Sequence, residues 1–352
     1  MRDHRHGPPR AQHTMMVRFT KFIFLFVGIA LLVAVLLETN LDELWVAVSR
    51  VGVLGMMTVM LVYALYFGAD AISWQITLPA VDINRPWIGR MFVVRMIGEA
   101  YNNITPTASL GGEPIKAWLL KVNWGVPLRE SGASLVIAKT TSMFSLVVFV
   151  AAGVFMMFGH PDVTAAHKTI AVGGLSFLIF AAIVFFLMQH LKLSTFVARK
   201  LGRSRFERRL SGVIRAVEDI DRQFASFYSE HGVRLWWSSL FAMANWVLGV
   251  VEVYLIMDFI GYPVSFTEAW MIECMVQLVR TITFFIPAGL GTQEGAFLIG
   301  VGVLTGAPSA GVATALVRRF RDLIWIGSSL FLATFYSVTP ARVSREEPDS
   351  PD

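Results

Sequence analysis

Apolar residues run in long blocks separated by short charged stretches, and most blocks are long enough to cross a membrane as helices. Phe22–Leu37, Val51 to Ile76, Ser131–Phe158, Thr169–Gln189, Leu235–Met257 and Glu268–Ile286 hold few charges each. A helix needs about 20 mostly apolar residues to cross the hydrocarbon, so each block predicts a span. Phe22–Leu37 is short for this unless Lys21 and Glu38 reach along it to the interface. Ser309–Val338 predicts a long last helix, although it carries Arg318, Arg319, Arg321 and Asp322 and only its Leu323–Val338 end suits lipid. In residues 190–234, Leu210, Val213, Val217, Ile220, Phe224 and Phe227 alternate steps of three and four. That period predicts an amphipathic helix lying at the headgroup boundary or on the protein. Residues 1–21 and 339–352 are polar tails expected to be disordered.

Two stretches break the pattern. Asn102-Asn-Ile-Thr-Pro-Thr-Ala-Ser-Leu-Gly-Gly-Glu-Pro-Ile-Lys116 lies between apolar runs, yet holds two prolines and a Gly-Gly pair that a spanning helix avoids. Pro114 suits the first position of a short helix, Ile115 to Lys121, whose N-terminus would favour an anion. Pro287-Ala-Gly-Leu-Gly-Thr-Gln-Glu294 repeats the device, with proline and glutamate seven apart as in Pro106 and Glu113. Thr292 is placed to cap a helix through Phe297 to Val303, which Thr305-Gly-Ala-Pro308 would end. Non-helical backbone at membrane depth survives only inside protein or beside a wet cavity. Paired broken segments in two halves of a chain point to a transport site at a repeat interface. Two kinked helices packed through glycine would look similar; the repeated spacing favours the site.

The 55% hydrophobic content and mean hydropathy of +0.60 exclude an ordinary soluble domain. The expected fold is an all-α polytopic integral membrane protein with about seven to eight transmembrane segments. Two of these would be broken, re-entrant hairpins. One cysteine, Cys274, leaves no disulfide framework. Basic residues cluster beside the spans rather than in a nucleic-acid patch, and residues 190–234 carry ten Lys/Arg against five acids. The positive-inside rule then puts that segment and the N-terminus in the cytoplasm of a bacterial inner membrane. Residues 22–338 form one membrane domain with 190–234 as its insert, and no cleaved signal is expected.

Asp70, Glu99, Glu113, Lys139, Glu252, Glu273, Arg280, Glu294, Arg318 and Arg319 all lie in or beside apolar runs. A charge at the bilayer centre costs about 2.5–3.5 kcal/mol on insertion scales, so these groups should pair or face a cavity. Arg95 and Glu99 are spaced to pair, Asn245 and Glu252 share a face, and Glu273, Gln277 and Arg280 form one stripe. Both signs occur, which suits an anionic or zwitterionic lipid headgroup better than a single-ion pore. Lys116, Arg280 and Arg318 are the candidates to hold an anion, and Glu113 and Glu294 to meet an amine or a coupling proton. His160 and His167 read as loop residues. No metal spacing, Walker loop, nucleotide fingerprint or catalytic elbow is present, so no cofactor and no enzymatic activity are expected.

At the two breaks the chain resembles the flippase-like transmembrane-region family of lysylphosphatidylglycerol synthases, which includes membrane proteins associated with hopanoid biosynthesis. The resemblance rests on Asn103-x-x-Pro106…Gly111-Gly112-Glu113-Pro114-x-Lys116-Ala117 and Pro287-x-Gly-x-Gly-x-x-Glu294-Gly295, followed by Ala315-Leu-Val-Arg318-Arg319. It covers roughly residues 20–338, and it adds Asn103 to the candidate site. Lys139 departs from it, standing where the family pattern favours arginine. The resemblance implies a helical membrane domain that moves lipids between leaflets. It also implies that the soluble aminoacyl-transferase domain of bifunctional members is absent, since the chain stops at Asp352. The expected function is a lipid translocase; a scaffold for a lipid-modifying enzyme and an intramembrane lipid transferase, with Glu113 as base, are the alternatives.

Overall fold

The computed structural model describes residues 41–104, 111–190, 231–284, 286 and 289–336. Within them run α1 (Leu41–Ile76), α2 (Arg85–Ile104), α3 (Gly112–Trp124), α4 (Leu128–Gly159) and α5 (Ala165–His190). After residues 191–230 come α6 (Gly232–Phe259), α7 (Phe266–Ile282), α8 (Thr292–Thr305) and α9 (Pro308–Ala333). The expected span 22–37, the amphipathic segment 210–227 and both tails lie outside the described residues. Four helices, α1 from Val48, α4, α5 and α6, are long and apolar enough to cross a membrane. Only 11% of the crossing stretch of α5 is buried, and Val53, Leu54 and Phe155 stand fully outward. Apolar surface on that scale belongs against lipid, and the chain is a polytopic membrane protein.

Several boundaries differ from the expected ones for local reasons. Helix α3 begins at Gly112, so Pro114 is its third residue and not its first. The first four N–H groups of a helix have no intrahelical acceptor, so proline removes no bond there. Helix α7 stops at Ile282, short of Ile286. Gly291, not Thr292, caps α8. His167 sits in the first turn of α5 and not in a loop, with its Nδ1 2.8 Å from Thr164 Oγ1.

The helices fall into two units of four, α1–α4 and α6–α9, with α5 between them. Arg85 and Phe266 open α2 and α7, and Trp124 and Thr305 close α3 and α8; both pairs lie 181 residues apart. Gly125 and Gly306, at the same offset, end α3 and α8 with φ of 72° and 69°. A side chain costs about 1–2 kcal/mol in that left-handed region, so glycine is the residue that ends both helices. Pro127 and Pro308 follow each glycine by two.

Packing repeats in the same way. Contacts α1–α2, α2–α3, α3–α4 and α4–α6 are matched by α6–α7, α7–α8, α8–α9 and α9–α1, and α2–α9 by α7–α4. The central pair is α1 with α6, and it is antiparallel. Ser73 Oγ donates to the Ser238 carbonyl at 2.8 Å, Asn245 Nδ2 to the Tyr66 carbonyl at 3.0 Å, and Arg50 Nη1 to the Ile260 carbonyl at 3.3 Å. Equivalent helices that cross antiparallel make the two units inverted copies about an axis near the Tyr66–Asn245 contact. In the first unit, α3 ends at the level where α2 begins: Trp87, at the start of α2, and Trp124, at the end of α3, have ring centroids 6.1 Å apart.

Candidate functional site

In the first unit, the chain re-enters helix where the Gly112 N–H donates to Asn102 Oδ1 at 2.7 Å. Asn102 Nδ2 in turn lies 3.5 Å from Glu99 Oε2. A Cβ on Gly112 would overlap the Gly98 carbonyl, so α2 and α3 meet backbone to backbone. Lys116, only 2% exposed, folds against Gly98 with its ammonium 5.8 Å from the Trp74 ring centroid. Its Nζ lies 2.9 Å from Glu113 Oε1, and Lys139 Nζ of α4 approaches the same oxygen at 3.2 Å. On α2, Arg95 bridges Asp70 of α1 and Glu99, the latter at 3.0 Å.

In the second unit, fully buried Glu294 accepts the Gly291 N–H at 2.8 Å and so caps its own helix. Arg319 of α9 reaches both its oxygens, at 2.5 and 3.2 Å, and donates to the Gly289 carbonyl at 2.9 Å. One residue before it, Arg318 lies 2.9 Å from Glu273 of α7 and 3.2 Å from Glu252 of α6. It also donates to the Gly249 carbonyl at 3.0 Å and sits over Phe297. Arg321 pairs with Glu252 and with Asp322, the latter at 2.7 Å, and its guanidinium lies 3.7 Å from the Tyr63 ring centroid. Gln277 Nε2 donates to Glu273 Oε1 at 2.7 Å. One buried partner removed from such a network would leave a bare charge, which costs about 3–5 kcal/mol.

The charged groups of the second unit, with Arg95 and Glu99 of α2, surround a cavity of about 520 Å³ between α1, α2 and the second unit. Arg95, Arg280, Arg318, Arg319 and Arg321 line it, with Glu99, Glu252, Glu273, Glu294 and Asp322: five arginines and five carboxylates. Tyr63, Tyr66, Phe67, Phe284, Leu323 and Ile326 supply its apolar wall. Phe284 and Leu323 are also exposed to the outside. The site therefore offers fixed charges of both signs beside an apolar edge, in a volume that suits a small-molecule headgroup.

Of the residues expected from sequence to meet the substrate, Arg280, Glu294 and Arg318 line this cavity, as do Glu99, Glu252, Glu273 and Arg319, which sequence singled out as charges in apolar runs. Glu113 and Lys116 are not among its lining residues; they pair with each other behind α2. The side chain of Asn103 lies outside the described residues. The stripe Glu273, Gln277 and Arg280 faces the cavity throughout, and Asp70 is taken up by Arg95. Sequence reasoning did not select Tyr63, Arg321 and Asp322. The signal available was the dense run Arg318-Arg319-Phe-Arg321-Asp322 inside a helix, too many charges for a helix that faces lipid. Among the described residues no group of His, Cys, Asp and Glu is arranged to hold a metal ion.

Comparison with known proteins agrees with the architecture. The family described as lysylphosphatidylglycerol synthase TM region matches residues 22–328. A UPF0104 membrane protein of Methanothermobacter thermautotrophicus is 23% identical over 328 residues, covering 88% of this chain and 93% of that protein. A UPF0104 membrane protein of Pyrococcus horikoshii is 22% identical over 304 residues, covering 80% of this chain and 88% of that protein. No solved structure matches the chain.

Proposed function

The chain belongs to the lysylphosphatidylglycerol synthase TM region family, and on that premise we propose that it moves a lipid between the two leaflets of its membrane. The observation that carries this reading is the charged cavity of about 520 Å³ bounded partly by exposed Phe284 and Leu323. A polar headgroup dragged through bare hydrocarbon meets a barrier of several kcal/mol per charge. The cavity replaces lost water with guanidinium and carboxylate groups already held in place, while Phe284 and Leu323 leave the acyl chains an apolar exit. The inverted repeat supports the reading too, since such repeats place substrate sites at their interface and rock about them.

The test is reconstitution of the pure protein in vesicles with fluorescent phospholipids, reading the fraction reduced by external dithionite. Protein-dependent access to the inner-leaflet pool supports translocation. Exposure no faster than in protein-free vesicles, from folded protein, would overturn it.

A further inference from the structure

We propose that a second, apolar groove between α4, α5 and α6 is the docking site for the amphipathic segment 210–227 of this same chain, with Phe224 and Phe227 seated in it. The proposal is independent of what the charged cavity carries. Helices α5 and α6 each pack along α4, and the groove of about 410 Å³ runs between them. Phe144 of α4, Ile183, Phe186 and Leu187 of α5 and Leu235 of α6 form its walls, and the first four of these stand exposed. Thr140 and Thr141, its hydroxyls on α4, donate to carbonyls of their own helix at 3.0 and 2.9 Å. What fits such a groove is an apolar surface.

Three observations point to the segment as that surface. The chain leaves α5 at His190 and re-enters helix at Gly232, and both ends rim the groove: Leu187 precedes the first by three residues and Leu235 follows the second by three. Only four residues separate Phe227 from Gly232, so the aromatic end of the stripe is tethered within about 18 Å of the start of α6. A tether that short gives the docking partner a high local concentration. The charge of the segment decides between protein and headgroups. A helix lying on a bilayer carries Lys and Arg on its polar face. Residues 210–227 hold Arg215 and Arg222 against Glu218, Asp219 and Asp221, an excess of acid, and the basic residues of the insert lie mostly upstream of Leu210. Arg234, next to Leu235 in the first turn of α6, has its Nη1 buried and without a hydrogen bond among the described residues. It offers the acidic face of a docked segment an opposite charge. Docked there, the segment braces α5 against α6, the first helix of the second unit.

The experiment is disulfide trapping in the full-length protein in phospholipid vesicles, in a Cys274→Ala background. Phe227→Cys is paired with Phe186→Cys in the groove, or with Val184→Cys, which lies on the same turn of α5 but outside the groove. Copper–phenanthroline should close the Phe186 pair at least tenfold faster than the Val184 pair. A segment lying freely on the bilayer reaches both positions alike, so equal rates would overturn the proposal, and so would failure of both pairs to close. Phe224→Asp tests the same contact without touching the described helices, and it should slow closure of the Phe186 pair about tenfold. An unchanged rate in that variant would show that the stripe does not hold the segment in place and would overturn the proposal as well.

Discussion

The two broken segments share a backbone plan and differ in what it carries. Each runs from a long helix through a proline-containing break into a short helix, begins that helix with a buried or half-buried glutamate, and ends it at a left-handed glycine. In the first unit the glutamate is held by two lysines, and the neighbourhood is packed shut by Lys116. In the second, Glu294 is held by Arg319 and, though fully buried, forms part of the cavity wall. The offset that pairs the helices sets Arg318, Arg319, Arg321 and Asp322 of α9 against Ile137, Ala138, Thr140 and Thr141 of α4. Backbone breaks are fixed by proline, glycine and capping, so both copies keep them. Side-chain charge is free to move, and on this strip it has collected on α9, while the first unit keeps its charges on α1, α2 and α3 and on Lys139 of α4.

The largest effect should come from setting one member of that charged strip against its apolar equivalent. Arg318→Met leaves Glu252 and Glu273 short of a partner and should lower stability in detergent by about 3–5 kcal/mol. Ile137→Val, at the equivalent place, should cost about 0.5–1.5 kcal/mol. Similar losses from both, measured by thermal unfolding, would erase the distinction between the copies. Next come the shared caps. Gly125→Ala and Gly306→Ala should each cost about 1–2 kcal/mol, and by similar amounts, because both impose the same left-handed strain. Unequal losses would show that one cap is held by its surroundings and not by its own geometry. The smallest effect belongs to Lys139, whose side chain is 51% exposed. Lys139→Ala should change stability by less than about 1 kcal/mol, the ordinary range for a solvent-reached pair.

The breaks, the short helices and the repeated spacing between proline and glutamate were legible in the sequence, because proline, glycine and caps act within a few residues. So were the Arg95–Glu99 pair and the Glu273–Gln277–Arg280 stripe, which are set by helical period. The assembly of the cavity was not. Arg318 meets carboxylates from α6 and α7, some 45 to 66 positions away, and no local pattern encodes that. Lys116 and Arg318, read from sequence as seats for an anion, are already engaged with carboxylates, whereas Arg280 is not. The same ambiguity of reach hid the separation of Glu113 from Glu294: equal spacing from a proline says that two sites are alike, not that they are one.

Helix α5 packs on α4 and α7 and belongs to neither unit. The first unit holds two helices able to cross the membrane, α1 and α4, while its broken middle returns to the side it left. A unit with an even number of crossings begins and ends on one side, and a direct fusion of two would set them parallel. Among the described residues α5 adds a third candidate crossing ahead of α6, an odd number, and α6 runs antiparallel to α1. One otherwise unremarkable apolar helix thus decides which way half of the protein faces, and deleting it would force the chain either to invert that half or to leave a span uninserted.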